Sequence, residues 1–160
     1  MLPGFTLKQL QEKMGYTFKD VTLLEKALTH SSYANERKIN KIDNYERLEF
    51  LGDAVLELVT SEFLYHENPE MPEGQLTKLR ASYVCEPSLA LCAKSLDLGS
   101  YLFLGRGEAS TGGRGRSSIL CDVMEAIIGA VFLDAGIDVA KEYIHRIILN
   151  DLEDKALFYD

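Results

Sequence analysis

Apolar residues recur at helical spacing along most of this chain, and two-residue alternation is scarce. Thr6 is placed to cap a short helix, Leu7 to Met14, which Gly15 ends. Asp20 is placed to cap the next, whose apolar stripe is Val21, Leu24, Ala27 and Leu28. Asn35 to Asn44 is polar and charged, the pattern of a loop. A long helix is predicted from about Tyr45 to Tyr65, and HENPEMPEG (His66 to Gly74) breaks it with two prolines and a glycine. Gln75 to Cys85 is predicted helical, and Pro87 suits the first turn of a helix ending near Leu98-Gly99. Leu104 to Ser118 is a Gly-rich loop that carries Arg106, Arg114 and Arg116 against one acid, Glu108. Asp138 opens a last amphipathic helix. With no internal repeat, low-complexity tract or linker, the expectation is one compact multi-helix, all-α domain over residues 1–160.

Between the loop and the last helix lies ILCDVMEAIIGAVFL, Ile119 to Leu133. Only Asp122 and Glu125 interrupt its apolar character. A segment that is hydrophobic all round is a buried helix, and this one is shorter than the roughly 20 residues a membrane span needs. A buried carboxylate costs several kcal/mol unless it is paired, metal-bound or neutralised. Two acids three residues apart share a helical face and repel each other. This pair therefore calls for a cation.

The long helix offers a counterpart. At about 100° per residue, Glu46, Glu49, Asp53 and Glu57 fall within about 80° of arc. Leu48, Leu51, Val55, Leu58 and Val59 occupy the opposite side, where Gly52 leaves room for another helix to approach closely. Taken alone, such an acidic stripe is ordinarily a solvated face. Set beside a buried D-x-x-E helix, an E-x-x-x-D helix completes an oxygen cage. Carboxylates without an accompanying His or Cys suit a hard ion, Mg²⁺ or Mn²⁺. Phe50 projects close to the acidic arc: a lone exposed Phe is common, but here it also suits a plug that enters another subunit.

Length and composition narrow the class. At 160 residues the chain is long enough to bury a core without staples, and 46% hydrophobic with 26% charged residues is ordinary for a globular protein. The segment MLPGFTLKQLQEKMG lacks a signal-peptide pattern. Three cysteines without a C-x-x-C pair point to a reducing, cytoplasmic setting and away from a structural zinc site. The net charge of −8, by itself, argues against nucleic-acid binding.

The stretch ERLEFLGDAV, Glu46 to Val55, resembles the signature of the ribonuclease III catalytic domain. The similarity extends to LTHSSY (Leu28 to Tyr33), EGQLT (Glu73 to Thr77), LGRGE (Leu104 to Glu108) and SILCDVMEA (Ser118 to Ala126). The resemblance implies an all-helical homodimer that cuts double-stranded RNA with Mg²⁺, Mn²⁺ substituting, and without a small-molecule cofactor or a membrane. It implies Glu49, Asp53, Asp122 and Glu125 as metal ligands, with Asp53 and Glu125 catalytic. It also implies supporting acidic roles for Glu46 and Glu73, and Phe50 packing into the partner subunit. Metal-activated water would hydrolyse the phosphodiester, leaving 5′-phosphate and 3′-hydroxyl ends with short 3′ overhangs. Two positions depart from the family pattern: Cys121 stands where Ala or Gly is expected, and Ser31 where Arg is expected. Neither is expected to touch the ligands.

A double-stranded-RNA-binding domain usually follows the catalytic domain. The chain stops at Phe158-Tyr159-Asp160, about where that domain would begin. If most phosphate-binding Lys and Arg lie in that other module, the acidic balance is less surprising. Arg106, Arg114 and Arg116, with Lys78 and Arg80, are the local candidates for RNA contacts, although a solvated mobile loop explains them equally well. A ferritin-like di-iron protein would also place carboxylates on facing helices, but it needs two Glu-x-x-His motifs where this chain has one, Glu142 to His145. His30 suits a structural hydrogen-bonding role better than that of a general base.

Overall fold

The computed structural model describes residues 1–38 and 43–150. Nine α-helices form among the described residues: α1 Leu7–Met14, α2 Val21–Ala27, α3 Ser31–Glu36, α4 Glu46–Glu67, α5 Glu73–Val84, α6 Glu86–Ser95, α7 Arg106–Ser110, α8 Ser117–Ala135 and α9 Ile137–Ile147. Extended pairing among them is limited to one isolated parallel bridge, Thr29 to Phe103. Residues 39–42 of the expected loop lie outside the described residues, as does 151–160, where a following domain is expected to begin.

Local chemistry sets the helix ends. Thr6 accepts from the Gln9 backbone N–H in a capping box, and Gly15 closes α1 at φ 72°, a left-handed conformation that costs glycine nothing. Asp20 accepts from Thr22 N–H and starts α2. At α4 the N-cap residue, Tyr45, makes no side-chain capping bond, and Asn44 before it serves instead, its Oδ1 accepting from Glu46 N–H at 2.9 Å. Glu46 and Glu49 in the first turn of α4 are favoured by the positive end of the helix dipole.

Helix α8 is the centre of the domain. It packs along α4 and also meets α2, α6 and α9. Every residue from Val123 to Val131 is buried, Glu125 included. Around it gather Leu24, Leu28, Leu56, Leu89, Leu98, Tyr101 and Tyr143, each at most 1% exposed. None of the described helices is long and apolar enough to cross a membrane.

The structure moves some expected boundaries. Helix α6 ends at Ser95, short of Leu98-Gly99, because Asp97 turns left-handed at φ 51° and a 3-10 turn follows over Leu98–Tyr101. Helix α3 runs to Glu36, into the segment expected to be loop. The Gly-rich loop folds into α7 and a 3-10 turn, Gly113–Gly115, and α8 already begins at Ser117. Helix α9 starts at Ile137, one residue before Asp138. On α4, Leu58 is 63% exposed although it shares the apolar side, while Leu56 is 1% exposed. The buried face turns towards Leu56, Val59 and Thr60, because α5, α8 and α9 pack there.

Candidate metal centre

Helices α4 and α8 touch backbone to backbone. A β-carbon added to Gly52 would meet Glu125 O at 1.7 Å, and one added to Gly129 would meet Leu48 O at 2.3 Å. The close approach expected at Gly52 is therefore present, and Gly129 provides its counterpart. The consequence lies on one edge of the crossing, where Glu49 and Asp53 of α4 come against Asp122 and Glu125 of α8.

The four acids form two pairs, each bridging the helices: Glu49 hydrogen-bonds Asp122, and Glu125 hydrogen-bonds Asp53. Glu125 is 8% exposed. Burial, then the hydrogen bond to Asp53, pushes its carboxyl up to about 9. Burial, then the charge of Asp122, pushes Glu49 up to about 7. No Lys or Arg pairs with any of the four among the described residues. Clustered acids without a counter-ion hold protons. This donor set, all oxygen apart from one neighbouring thiol, fits a hard divalent cation that would displace those protons.

Other expected residues fall around this core. Glu46 is exposed at the start of α4, and its charge helps to raise Glu49. Glu73 is exposed at the start of α5, and among the described residues no hydrogen bond or ion pair engages its side chain. Phe50 is 82% exposed. Beside it opens a cleft of about 580 Å³, whose lining includes Leu23, Leu48, Leu51 and Leu133. The two residues of the single Glu-x-x-His have other partners: Glu142 lies 3.8 Å from Arg146, and the His145 ring meets Phe63 edge-on. His30 caps α3, sharing its Nδ1 with Ser32, in keeping with a structural role.

The five basic candidates divide. Arg114 turns inward and donates to Gly99 O at 3.1 Å and Leu102 O at 2.8 Å, so it braces the chain instead of projecting from the loop. Arg116 donates to Thr111 O and pairs with Glu108 at 2.8 Å. Arg80 reaches Ser61 and, at 3.4 Å, Glu57. Lys78 and Arg106 are exposed, and their side chains engage no partner among the described residues.

Two residues belong to the site beyond those expected. Tyr45 donates from its hydroxyl to Asp122 Oδ2 at 3.3 Å. Burial, then the negative charge of Asp122, holds that phenol above the usual tyrosine range. Cys121, expected to stand clear, places Sγ 3.9 Å from Glu125 Oε1. The correction follows from helix geometry: positions 121 and 125 are one turn apart, so their side chains share a face. Burial, then the charge of Glu125, pushes the thiol up to about 12.

The chain is similar to known proteins over most of its length. The Ribonuclease-III-like family matches residues 20–152. Ribonuclease 3 of Enterococcus faecalis is 49% identical over 152 residues, covering 95% of this chain and 66% of the relative. Ribonuclease 3 of Caldanaerobacter subterraneus is 55% identical over 144 residues, covering 90% and 61% respectively. The chain thus spans a little under two thirds of the length of these relatives. Among solved structures, the nuclease domain of ribonuclease III from Campylobacter jejuni superposes with a TM-score of 0.84 at 46% identity, covering 91% of this chain and 97% of that one. Dicer from Pichia stipitis reaches 0.63 at 27% identity, over 86% of this chain and 58% of its own. Family match, relatives and fold agree, and the chain belongs to the ribonuclease III family.

Proposed function

We propose that this chain is a ribonuclease III catalytic unit that cleaves double-stranded RNA endonucleolytically with a divalent ion, Mg²⁺, for which Mn²⁺ substitutes. The observation that carries this is the pair of carboxyl bridges, Glu49 to Asp122 and Asp53 to Glu125, set across the Gly52–Gly129 contact without a basic partner among the described residues. These four side chains would hold the ion. When bound, it supplies charge neutralisation and Lewis acidity to water and to the scissile phosphate.

The chain's own residues do the rest. Asp53 and Glu125, buttressed by the rigid crossing, are the acids on which the reaction depends most. Glu46 adds negative charge at the rim, and Glu73 is assigned a supporting acidic role. Tyr45 orients Asp122 through its hydroxyl. Lys78 and Arg106 are the side chains most available to phosphates, with Arg80 and Arg116 available only if their present partners release them. Duplex RNA would be held through its backbone and 2′-hydroxyls, since its deep major groove admits no side chains. Hydrolysis would leave 5′-phosphate and 3′-hydroxyl ends.

The active form would be a homodimer. Phe50, almost fully exposed beside an apolar cleft, suits insertion into the same cleft of a second copy, an exchange made twice across a two-fold axis. The Campylobacter nuclease domain, similar over nearly its whole length, has a region involved in dimer formation. Two such sites would cut the two strands with short 3′ overhangs, a chemistry suited to processing ribosomal and messenger precursors in the cytoplasm.

The deciding experiment is a gel assay on a perfect RNA duplex at low salt. Discrete products with Mg²⁺ and none with EDTA are expected. An intact duplex under both conditions would refute the proposal.

A further inference from the structure

Cys121 brings sulfur to an otherwise all-oxygen site. Its Sγ, an oxygen of Asp122 and an oxygen of Glu125 all lie within 4.8 Å of one another. Donors around one tetrahedral ion, at bond lengths of about 2.0–2.3 Å, sit roughly 3.3–3.8 Å apart, so small rotations would close these three on a cation. The placement is enforced by α8, since residues 121 and 125 share one face of a helix packed into the core. The other two thiols stand elsewhere: Cys85 contacts Ser82 O, and Cys92 is buried on α6.

Sulfur contributes little to a hard ion such as Mg²⁺, and favours Zn²⁺ or Cd²⁺ over it. We propose that Cys121, Asp122 and Glu125 form a mixed sulfur–oxygen site for a thiophilic divalent cation, which competes with the hard ion for the two carboxylates. The inference rests on the carboxylate-site reading above. As the metal–sulfur bond forms, the thiol proton and any proton held by Glu125 leave to solvent, with no change in oxidation state. Asp122 and Glu125 are then withdrawn from the hard-ion site, so the thiophilic ion acts as an inhibitor.

The test titrates the reduced, metal-free chain with Cd²⁺ and follows the ultraviolet charge-transfer band of a cadmium–thiolate bond. The band should saturate at one Cd²⁺ per chain and recede as Mg²⁺ is added in excess. Cys121→Ala, and the size-matched Cys121→Ser, should lose the band while keeping helical circular dichroism. Glu125→Gln should weaken Cd²⁺ binding by about tenfold or more, at least the loss that removing a mere supporting partner brings. A band that survives in both Cys121 variants, or that excess Mg²⁺ leaves unchanged, overturns the proposal. So does a wild-type chain that cleaves duplex RNA in Mg²⁺ yet shows no band. A chain that shows the Cys121-dependent, Mg²⁺-sensitive band but does not cleave supports the thiol site and refutes the nuclease reading instead.

Discussion

A β-carbon on Gly52 would lie 1.7 Å from the carbonyl oxygen of Glu125. The residue that lets two helices touch is therefore set against the backbone of the most buried acid in the site. Any side chain at position 52 forces α4 and α8 apart, and the carboxyl bridges across the crossing part with them.

Gly52→Ala should accordingly damage stability and chemistry together. Overpacking of this kind costs about 1–3 kcal/mol, occasionally more. The variant should melt below the parent and lose its thermal response to Mg²⁺. Wild-type melting together with wild-type cleavage would show that the crossing has slack.

Glu125→Gln should abolish cleavage while the protein stays folded, because it removes a charged ligand at nearly constant volume. Its pH signature has a defined sign. In the metal-free fold Glu125 keeps its proton up to about pH 9, against an ordinary value of 4.5. Between those values the folded state binds more protons than the unfolded chain, so stability falls as pH rises. The contribution is complete below about 4.5 and is lost through about 9; Glu49, raised to about 7, adds to the lower part of this window. Melting temperatures in EDTA should decline across that range, and Glu125→Gln should flatten the upper part. An identical decline in both proteins would show that another group is responsible.

Mg²⁺ should raise the melting temperature between micromolar and ten-millimolar levels. Binding confined to the folded state stabilises it by about 2.7 kcal/mol at a hundred times Kd. Glu125→Gln should erase most of that increment. A melting curve indifferent to Mg²⁺ would argue against a metal site here.

Phe50→Ala should convert a dimer to a monomer at micromolar concentration with its helical content intact. Each of the two rings lost could contribute roughly 2 kcal/mol or more if it is a central anchor. Sedimentation is the direct measurement, and a variant still dimeric at nanomolar concentration would rule the ring out as the anchor.

Arg114 and Arg106 should separate cleanly. Arg114→Ala removes two hydrogen bonds from a charged donor to backbone carbonyls, and should destabilise the fold by about 2 kcal/mol or more. Arg106→Ala should leave melting unchanged and reduce the salt dependence of RNA binding, by about one unit of slope if it meets one phosphate. The reverse pattern in melting and binding would exchange their roles.

Amino-acid order alone determined the helical class, the caps at Thr6 and Asp20, the burial of Val123 to Val131 within the apolar run and the close approach at Gly52. Leu133, at the end of that run, is 55% exposed. The helical class and the caps depend on neighbours within a turn or two, where periodicity and capping chemistry act directly. Gly52 was legible because a missing side chain on an apolar helix face marks a close packing partner wherever that partner lies in the chain. The D-x-x-E segment made Asp122 and Glu125 conspicuous as charges in an apolar run, while Glu49 and Asp53 were singled out from the acidic stripe by the resemblance that ERLEFLGDAV carries. Tertiary structure decided what distance along the chain conceals. Arg114 looked like part of a basic loop until the fold brought it to Gly99 O and Leu102 O, carbonyls that no pattern at position 114 announces. Leu58 shared the apolar stripe of α4, yet the packing of α5, α8 and α9 turned the buried face away from it. Tyr45 reaches Asp122 across 77 positions of sequence, a contact made only when α4 meets α8. Cys121 lay between the two cases: its spacing from Glu125 was visible, but only the crossing with α4 fixed which face of α8 became the site.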